Sequence, residues 1–300
     1  MSGVIEAKQV RLKYGKKTAL NNISIDLGEN QLIGLIGRNG CGKTTFMKLC
    51  AGLLEPTDGE IFVLNETPIN NIDVLKEVIY SYPNIPHNPS NTLQRIFNYF
   101  SMFYPRFDQV FALKLLDVFS LKSSMKYKSL SQGMESIFNF ICALSTRAKV
   151  TMFDEPVLGM DVTVRKKVYE ILLRDYMEYP RTIIVSSHML SELEDILSEI
   201  LLLDQGTIIF YKDLEEVNSM AYRIDGSEEA VKAFAEKRDV LYEDHKTIGS
   251  FAIIEGQYDH IATKEGKDRN LIISKVRPED LCIYKTIHGG KEDFECLWEK

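Results

Sequence analysis

The stretch Gly37-Arg38-Asn39-Gly40-Cys41-Gly42-Lys43-Thr44 decides the fold that we expect for this chain. It fits the pattern G-x-x-x-x-G-K-[ST]. It follows the apolar run Leu32-Ile33-Gly34-Leu35-Ile36, which is typical of a strand buried on both faces, and it precedes a helical pattern over residues 44–49. A chance glycine-rich turn is the alternative. The strand–loop–helix context instead favours a loop that binds phosphate.

Each part of this loop has a physical reason to contact a phosphate. The glycines let the backbone wrap closely around the anion, and the amides of the loop and of the helix N-terminus donate hydrogen bonds to it. We expect Lys43 to reach the β- and γ-phosphates and Thr44 to ligate Mg²⁺. The predicted nucleotide-binding residues of this segment are Gly37, Asn39, Gly40, Cys41, Gly42, Lys43, Thr44 and Thr45.

A pair of acids ends the apolar run Val150-Thr151-Met152-Phe153-Asp154-Glu155. In a phosphate-binding fold the first acid holds Mg²⁺, directly or through water, and a second acid can take a proton from an attacking water. Asp154 is therefore the predicted metal-side residue and Glu155 the predicted general base. Taken alone, the pair is better read as a solvated strand end, but the phosphate loop upstream favours the catalytic interpretation.

Two weaker signals accompany the loop and the acids. The peptide Leu130-Ser131-Gln132-Gly133-Met134 precedes a helical pattern, so Ser131 offers a hydroxyl and Gly133 an amide to an anion, although a plain helix cap is the default interpretation. His188 follows the apolar strand at residues 183–186, at the edge where α/β sheets bind ligands. A lone histidine is more often structural, and only the context favours a phosphate contact.

Composition excludes several classes of protein. With 300 residues, 45% hydrophobic and 26% charged, the chain is neither disordered nor fibrous. Its 36 basic and 43 acidic residues give a net charge of −7, which disfavours broad nucleic-acid binding. No apolar stretch is long enough to span a membrane, and the start shows no export signal. The five scattered cysteines indicate neither a disulfide framework nor a zinc site.

The pattern of elements predicts two domains. Strand-like runs alternate with helical patterns up to about residue 215, as in an α/β domain with a largely parallel sheet. Shorter, more polar segments follow. We therefore expect a first domain at residues 1–215 and a small α+β accessory domain at residues 216–300.

Five features follow one another along the chain: the phosphate loop, the Ser131 peptide, the acidic pair, the loop Leu158-Gly159-Met160-Asp161, and His188. In this order they resemble the ATP-binding subunit of an ABC transporter. The resemblance covers about residues 4–215. It implies an α/β P-loop NTPase of the ABC type, with a RecA-like core, an antiparallel β subdomain and a helical subdomain. It also implies ATP and Mg²⁺ as cofactors and ATP hydrolysis as the activity.

The resemblance assigns further roles. Tyr14 matches the aromatic residue that stacks on adenine, and His188 the residue that senses the γ-phosphate. Ser131 and Gly133 would touch the γ-phosphate of the ATP held by the opposite subunit, and Asp161 would lie at the dimer interface. The implied catalytic residues are Glu155, His188 and Lys43.

The sequence departs from the family at two motifs. The family motif resembling I-G-Y-x-P-Q reads Ile79-Tyr80-Ser81-Tyr82-Pro83-Asn84, so Asn84 stands in place of a glutamine that contacts the metal or its water. Asparagine keeps the amide but is one methylene shorter. The family's signature peptide, LSGGQ, reads LSQGM at residues 130–134 of this chain. It keeps Ser131 and Gly133, the two residues that can offer a hydroxyl and an amide to a phosphate.

The resemblance also implies partners. We expect a second ATP-binding subunit, identical or different, a separate transmembrane permease, no nucleic acid, and a place at the cytoplasmic face of the cell membrane. An aromatic stretch around residues 97–107 lies where the permease would dock, and we expect Phe100 and Phe103 inside and some of Tyr99, Tyr104 and Phe107 exposed.

A narrower similarity links the chain to exporter ATPases for antimicrobial or cytolytic peptides, such as the phenol-soluble-modulin type. The alternatives are a soluble ABC-type ATPase and a regulatory cassette that is not coupled to transport.

Overall fold

Strands and helices alternate along residues 3–83, 85–245 and 249–287, which the computed structural model describes. The strands, in chain order, are β1 (Ile5–Tyr14), β2 (Lys17–Leu27), β3 (Leu32–Ile36), β4 (Asp58–Val63), β5 (Val78–Ser81), β6 (Val150–Asp154), β7 (Thr182–Ser187), β8 (Glu199–Asp204), β9 (Thr207–Asp213), β10 (Ala221–Gly226), β11 (Val240–His245), β12 (Ser250–Glu255) and β13 (Ile272–Lys275). The α-helices are α1 (Lys43–Cys50), α2 (Ile72–Leu75), α3 (Leu93–Phe103), α4 (Gln109–Val118), α5 (Gln132–Thr146), α6 (Val162–Glu178), α7 (Leu214–Ser219), α8 (Glu228–Ala235), α9 (His260–Asp268) and α10 (Pro278–Lys285). Among the described residues, every helix is too short or too polar to cross a lipid bilayer.

A six-stranded sheet organises the first of two compact units, Met1–Tyr211. Its strand order is β5-β6-β7-β3-β8-β9, and the pairs from β5 through β8 are parallel. Every residue of β3, β5, β6 and β7 is buried, which explains their apolar runs. Because β7 lies between β6 and β3, the carboxyl ends of these three strands meet at one edge.

A three-stranded antiparallel sheet with the order β2-β1-β4 covers the other side of helix α1. Helix α1 contacts β2 and β4 of this sheet and β6 of the parallel sheet. Its buried Phe46 and Met47 belong to the same apolar core as Leu20 of β2 and Met152 of β6. The first turn of α1, which carries Lys43 and Thr44, is therefore fixed between two sheets.

Helices α3, α4 and α5 pack against one another and form a helical group within this unit. Its core includes Phe97 and Phe138, whose rings stack with centroids 5.4 Å apart. The expectation that Phe103 is inside is wrong, because 39% of the residue is exposed. Phe103 is the last residue of α3, two turns beyond the buried Ile96, where packing is incomplete. Tyr99 is exposed, as expected for part of this stretch.

The second unit, Lys212–Lys300, contains an antiparallel sheet with the order β11-β12-β10-β13. From β10 to β13 the elements run strand–helix–strand–strand–helix–strand, the chain order of a ferredoxin-like arrangement. Ile224, Val231, Phe234 and Ile254 lie in its core. The unit has the expected mixture of helices and strands, and its interpretation as an accessory domain stays a prediction.

A buried ion pair joins the end of helix α6 to the start of strand β7. Arg181 donates to the Asp175 carboxylate over 2.7 Å, and the two side chains are only 5% and 3% exposed. Burial raises the pKa of Asp175 and lowers that of Arg181, and each charge opposes the shift of the other. Arg147 adds a second cation 3.9 Å from the same carboxylate. Removing the carboxylate would therefore leave buried positive charge uncompensated.

We predict that Asp175→Asn destabilises the chain by about 3–5 kcal/mol, because Arg181 stays buried without its counter-charge. The matched control is Glu170→Gln on the same helix, since Glu170 pairs with Arg174 in an exposed contact of 2.7 Å. That change should cost less than about 1 kcal/mol. Urea unfolding followed by circular dichroism compares the two variants, and equal losses of stability would contradict the prediction.

Candidate nucleotide-binding site

The predicted phosphate loop connects the end of β3 to the first turn of α1. Gly40 and Gly42 have φ angles of +81° and +117°, where side chains are strained. At Gly42 a Cβ atom would also lie 2.8 Å from the Leu20 side chain and 2.9 Å from the Ala19 carbonyl oxygen. The tight loop therefore requires glycine at both positions. The buried ammonium of Lys43 donates to the Gly37 carbonyl oxygen over 2.6 Å and lies within the loop.

A cavity of about 250 Å³ lies against this loop. It gathers predicted site residues from β1, the loop, α1 and the end of β6, together with two residues that the sequence did not suggest, Lys17 and Ala19. The lining residues are Tyr14, Lys17, Ala19, Asn39, Gly40, Gly42, Lys43, Thr44, Thr45, Asp154 and Glu155.

Cys41 belongs to the loop but not to the lining of this cavity. Its side chain is buried, and burial raises the pKa of its thiol, although the nearby Lys43 opposes the shift. Any contact that Cys41 makes with a nucleotide is therefore expected from its backbone rather than from its sulfur.

A larger cavity of about 930 Å³ lies near the starts of β6 and β7, where Lys149 and Thr182 line it. Ligands of open α/β sheets bind at the carboxyl ends of the strands, which is the opposite edge. The smaller cavity lies at the carboxyl ends of the strands and carries the phosphate loop and the acidic pair, so it is the candidate nucleotide site.

The Asp154 carboxylate is held by hydroxyl groups from three neighbouring elements. Thr44 Oγ1 of α1 donates to Asp154 Oδ2 over 2.7 Å, and the Tyr80 hydroxyl of β5 donates to the same oxygen over 2.8 Å. Ser186 Oγ of β7 donates to Oδ1 over 2.6 Å. Burial and the charge of Asp154 raise the pKa of Tyr80, so its hydroxyl stays protonated. Sequence reasoning missed Tyr80 and Ser186, which lie on the two strands that flank β6.

The donor set at Asp154 fits a magnesium ion that arrives with a nucleotide. A threonine hydroxyl and a carboxylate are the hard oxygen donors that Mg²⁺ prefers. Within residues 3–83, 85–245 and 249–287, no three His, Cys, Asp or Glu side chains are grouped closely enough to hold a metal. Phosphate oxygens and water would have to complete the shell, as is usual for Mg²⁺. Asn84, the other predicted metal contact, lies outside the described residues.

Glu155 adopts a left-handed backbone conformation at φ +48°, which is uncommon for a residue with a side chain. Its amide donates to Ser186 Oγ over 3.0 Å, so the strained residue is tied to β7. His188 Nδ1 lies 3.0 Å and 3.2 Å from the two carboxylate oxygens of Glu155. The structure thus places His188 against the predicted base, and His188 itself does not line the cavity.

The Ser131 peptide and the Asp161 loop lie together but outside the cavity. Ser131 caps α5 through the Met134 amide at 3.4 Å, and Asp161 caps α6 through two amides at 2.9 and 3.0 Å. A Cβ atom on Gly133 would lie 3.1 Å from the Gly159 carbonyl oxygen, which shows how closely the two segments approach. Within one chain, Ser131, Gly133 and Asp161 therefore do not complete the site that the loop begins.

Comparison with protein families and curated proteins gives consistent matches. The family model described as ABC transporter matches residues 20–158. The chain is 24% identical over 221 residues to the ABC transporter ATP-binding protein YtrB of Bacillus subtilis, covering 74% of this chain and 76% of that protein. It is 29% identical over 221 residues to the bacitracin transport ATP-binding protein BcrA of Enterococcus faecalis, covering 73% and 70%.

The chain contains an ABC transporter ATP-binding domain. It is an ATP-binding subunit of this family, and its activity is that of an ATPase. The resemblance read from the sequence is thereby confirmed. The roles of the individual site residues stay predictions.

Solved structures confirm the expected fold class. A structure described as the ATP-binding subunit of an ABC transporter superposes with a TM-score of 0.64 at 22% identity, covering 72% of this chain and 92% of that one. The ATP-binding cassette MJ0796, in a dimeric post-hydrolysis state with ADP and Pi, gives 0.60 at 21% identity, covering 70% and 98%. At this identity the likeness concerns the fold alone.

We predict that Lys17→Ala weakens ATP binding by the ATP-binding domain about 5-fold, because it removes an ammonium group from the cavity where the phosphates are expected. Lys17 is paired with Tyr14 across the β1–β2 turn, whereas Lys16 lies in that turn and does not line the cavity. Lys16→Ala is therefore the matched control and should bind ATP as the wild type does. Calorimetric titration with ATP measures both, and equal affinities of the two variants would contradict the assignment of Lys17.

Proposed function

We propose that the chain powers an ABC transporter by binding ATP with Mg²⁺ between two ATP-binding subunits and hydrolysing it there. The observation that carries the proposal is the 2.7 Å hydrogen bond from Thr44 to Asp154, with Glu155 next in the chain. This bond joins the phosphate loop to the acidic pair at one edge of the sheet. A cassette that only binds nucleotide has no need for the second acid.

The residues divide the chemistry of hydrolysis among them. The loop amides and Lys43 bind the phosphates and offset their charge. Thr44 and Asp154 would hold Mg²⁺, which neutralises charge that develops on the phosphate oxygens. Glu155 accepts a proton from the attacking water. His188 hydrogen-bonds to the Glu155 carboxylate through Nδ1 and thereby helps to orient it. Tyr14, exposed beside the loop, provides a ring on which adenine can stack.

A second subunit would supply the groups that one chain does not bring to its own cavity. Ser131 is exposed at the start of α5, where its hydroxyl accepts the Met134 amide and can still donate to a phosphate that another chain presents, beside the Gly133 amide. The dimeric state of MJ0796 supports the same arrangement for a protein of this fold. This second subunit is either another copy of the chain or a different ATP-binding subunit.

We place the chain at the cytoplasmic face of the cell membrane, attached through a separate permease subunit. Tyr99, Met102 and Phe103 form an exposed apolar patch along α3, and we propose this patch as the permease contact.

Export of peptides or antimicrobials is the transport that we propose. The match to BcrA, named for bacitracin transport, supports it. A specific observation favours import as the second candidate. The spermidine/putrescine import protein PotA of Mycoplasma mycoides is 26% identical over 301 residues, and the match covers 96% of this chain and 82% of that protein. Unlike the matches to YtrB and BcrA, this one extends over nearly the whole chain.

We predict that Glu155→Gln traps a dimer in the presence of ATP and Mg²⁺, because the site still binds nucleotide but has lost its general base. Light scattering after size exclusion should show a dimer with ATP and a monomer without it, while steady-state hydrolysis falls at least about 100-fold. Glu170→Gln is the surface control. A Glu155→Gln chain that hydrolyses ATP at the wild-type rate would contradict the proposed base.

Antibiotic resistance and spermidine uptake distinguish export from import in cells that produce the chain together with the membrane subunit that co-purifies with it. We expect them to resist a peptide antibiotic such as bacitracin more strongly than cells that produce the Glu155→Gln variant. Unchanged resistance together with faster uptake of labelled spermidine would instead support the second candidate.

A further inference from the structure

Tyr80 lies on β5 beside the Asp154 carboxylate, which is the predicted Mg²⁺ ligand at the end of the neighbouring strand β6. Here the ring is 8% exposed and stacks on Tyr82 with centroids 5.1 Å apart. The hydroxyl donates to Asp154 Oδ2 over 2.8 Å. A buried and stacked ring therefore directs a hydroxyl at one oxygen of this carboxylate.

The three donors on Asp154 differ in what else they must do. Thr44 is expected to bind Mg²⁺, so its hydroxyl serves two partners. Ser186 Oγ donates to Oδ1 and also accepts the Glu155 amide. Tyr80 makes its bond to Oδ2 from a ring that is buried and stacked. Tyr80 and Ser186 thus hold one carboxylate oxygen each, from opposite neighbouring strands.

We infer that Tyr80 is a positioning residue that fixes the Asp154 carboxylate for Mg²⁺ before the metal binds. The inference rests on the proposed magnesium–nucleotide site. A carboxylate whose rotation is already restrained loses less freedom when it binds a metal, and partners of metal ligands commonly change metal affinity 10- to 100-fold when they are removed. The hydroxyl of Tyr80 should therefore set the concentration of Mg²⁺ that the site requires.

Tyr80→Phe tests this inference, because it removes the hydroxyl and keeps the ring. Tyr82→Phe is the matched control, since it removes a hydroxyl from the stacked partner, and that hydroxyl makes no hydrogen bond with any described residue. The measurement is the fluorescence of trinitrophenyl-ATP bound to each variant, first without metal and then during titration with MgCl₂. Replacement of Tyr80 by 4-aminophenylalanine provides a rescue, because it restores a donor on the same ring.

We expect Tyr80→Phe to raise the half-saturating Mg²⁺ concentration about 10-fold, to leave binding without metal unchanged, and to be rescued by the amino group. Tyr82→Phe should match the wild type. A lower melting temperature of Tyr80→Phe with an unchanged Mg²⁺ requirement would show a purely structural role and overturn the inference. A wild-type chain whose nucleotide binding ignores Mg²⁺ would instead contradict the proposed function, so the two failures are distinguishable.

Discussion

The carboxylate of Asp154 is the point on which the candidate site depends. It ends the buried strand β6 and accepts hydrogen bonds from α1, β5 and β7, at distances between 2.6 and 2.8 Å. A buried charge of this kind is tolerable only when hydrogen bonds satisfy it. The same bonds join the phosphate loop to the sheet edge, so the folding of three strands and one helix assembles the site.

The sheet order explains why some of this arrangement is readable from the sequence and some is not. The phosphate loop and the acidic pair are local patterns, and glycine at positions 40 and 42 is required by backbone angles that the motif encodes. Tyr80 and Ser186 contact Asp154 from neighbouring strands, although both are distant from it in the chain. These contacts depend on β5 and β7 flanking β6, which no local pattern specifies. Lys17 lies only three residues after its strand partner Tyr14, but it belongs to no motif that would mark it as part of the cavity. Burial at the end of a helix is equally hard to predict from the sequence, as Phe103 shows. Helical periodicity identifies the buried face of α3 but not how far along the helix the packing extends.

The geometry is consistent with one chain holding only part of the proposed catalytic site. The loop cavity contains the groups that we propose to bind phosphates and to activate water, whereas Ser131 and Gly133 lie at the start of α5 beside the Asp161 loop. Helix α5 is tied to that loop by the Ser136 hydroxyl, which donates to the Leu158 carbonyl oxygen over 3.1 Å. The two segments are thus held as one surface, and a second copy that presents this surface would complete the site. ATP binding and dimerisation would then be coupled equilibria, each favouring the other.

Complementation between two inactive chains tests this central claim most directly. Lys43→Ala removes the phosphate-binding ammonium of the loop, and Ser131→Arg places a bulky side chain in the signature peptide at residues 130–134. Each variant alone should therefore hydrolyse no ATP. A one-to-one mixture forms dimers in which one site combines the intact loop of one chain with the intact signature of the other. The account predicts about a quarter of the wild-type rate, because half of the dimers are mixed and each has one working site of two. An inactive mixture, measured beside an active wild type, would contradict it.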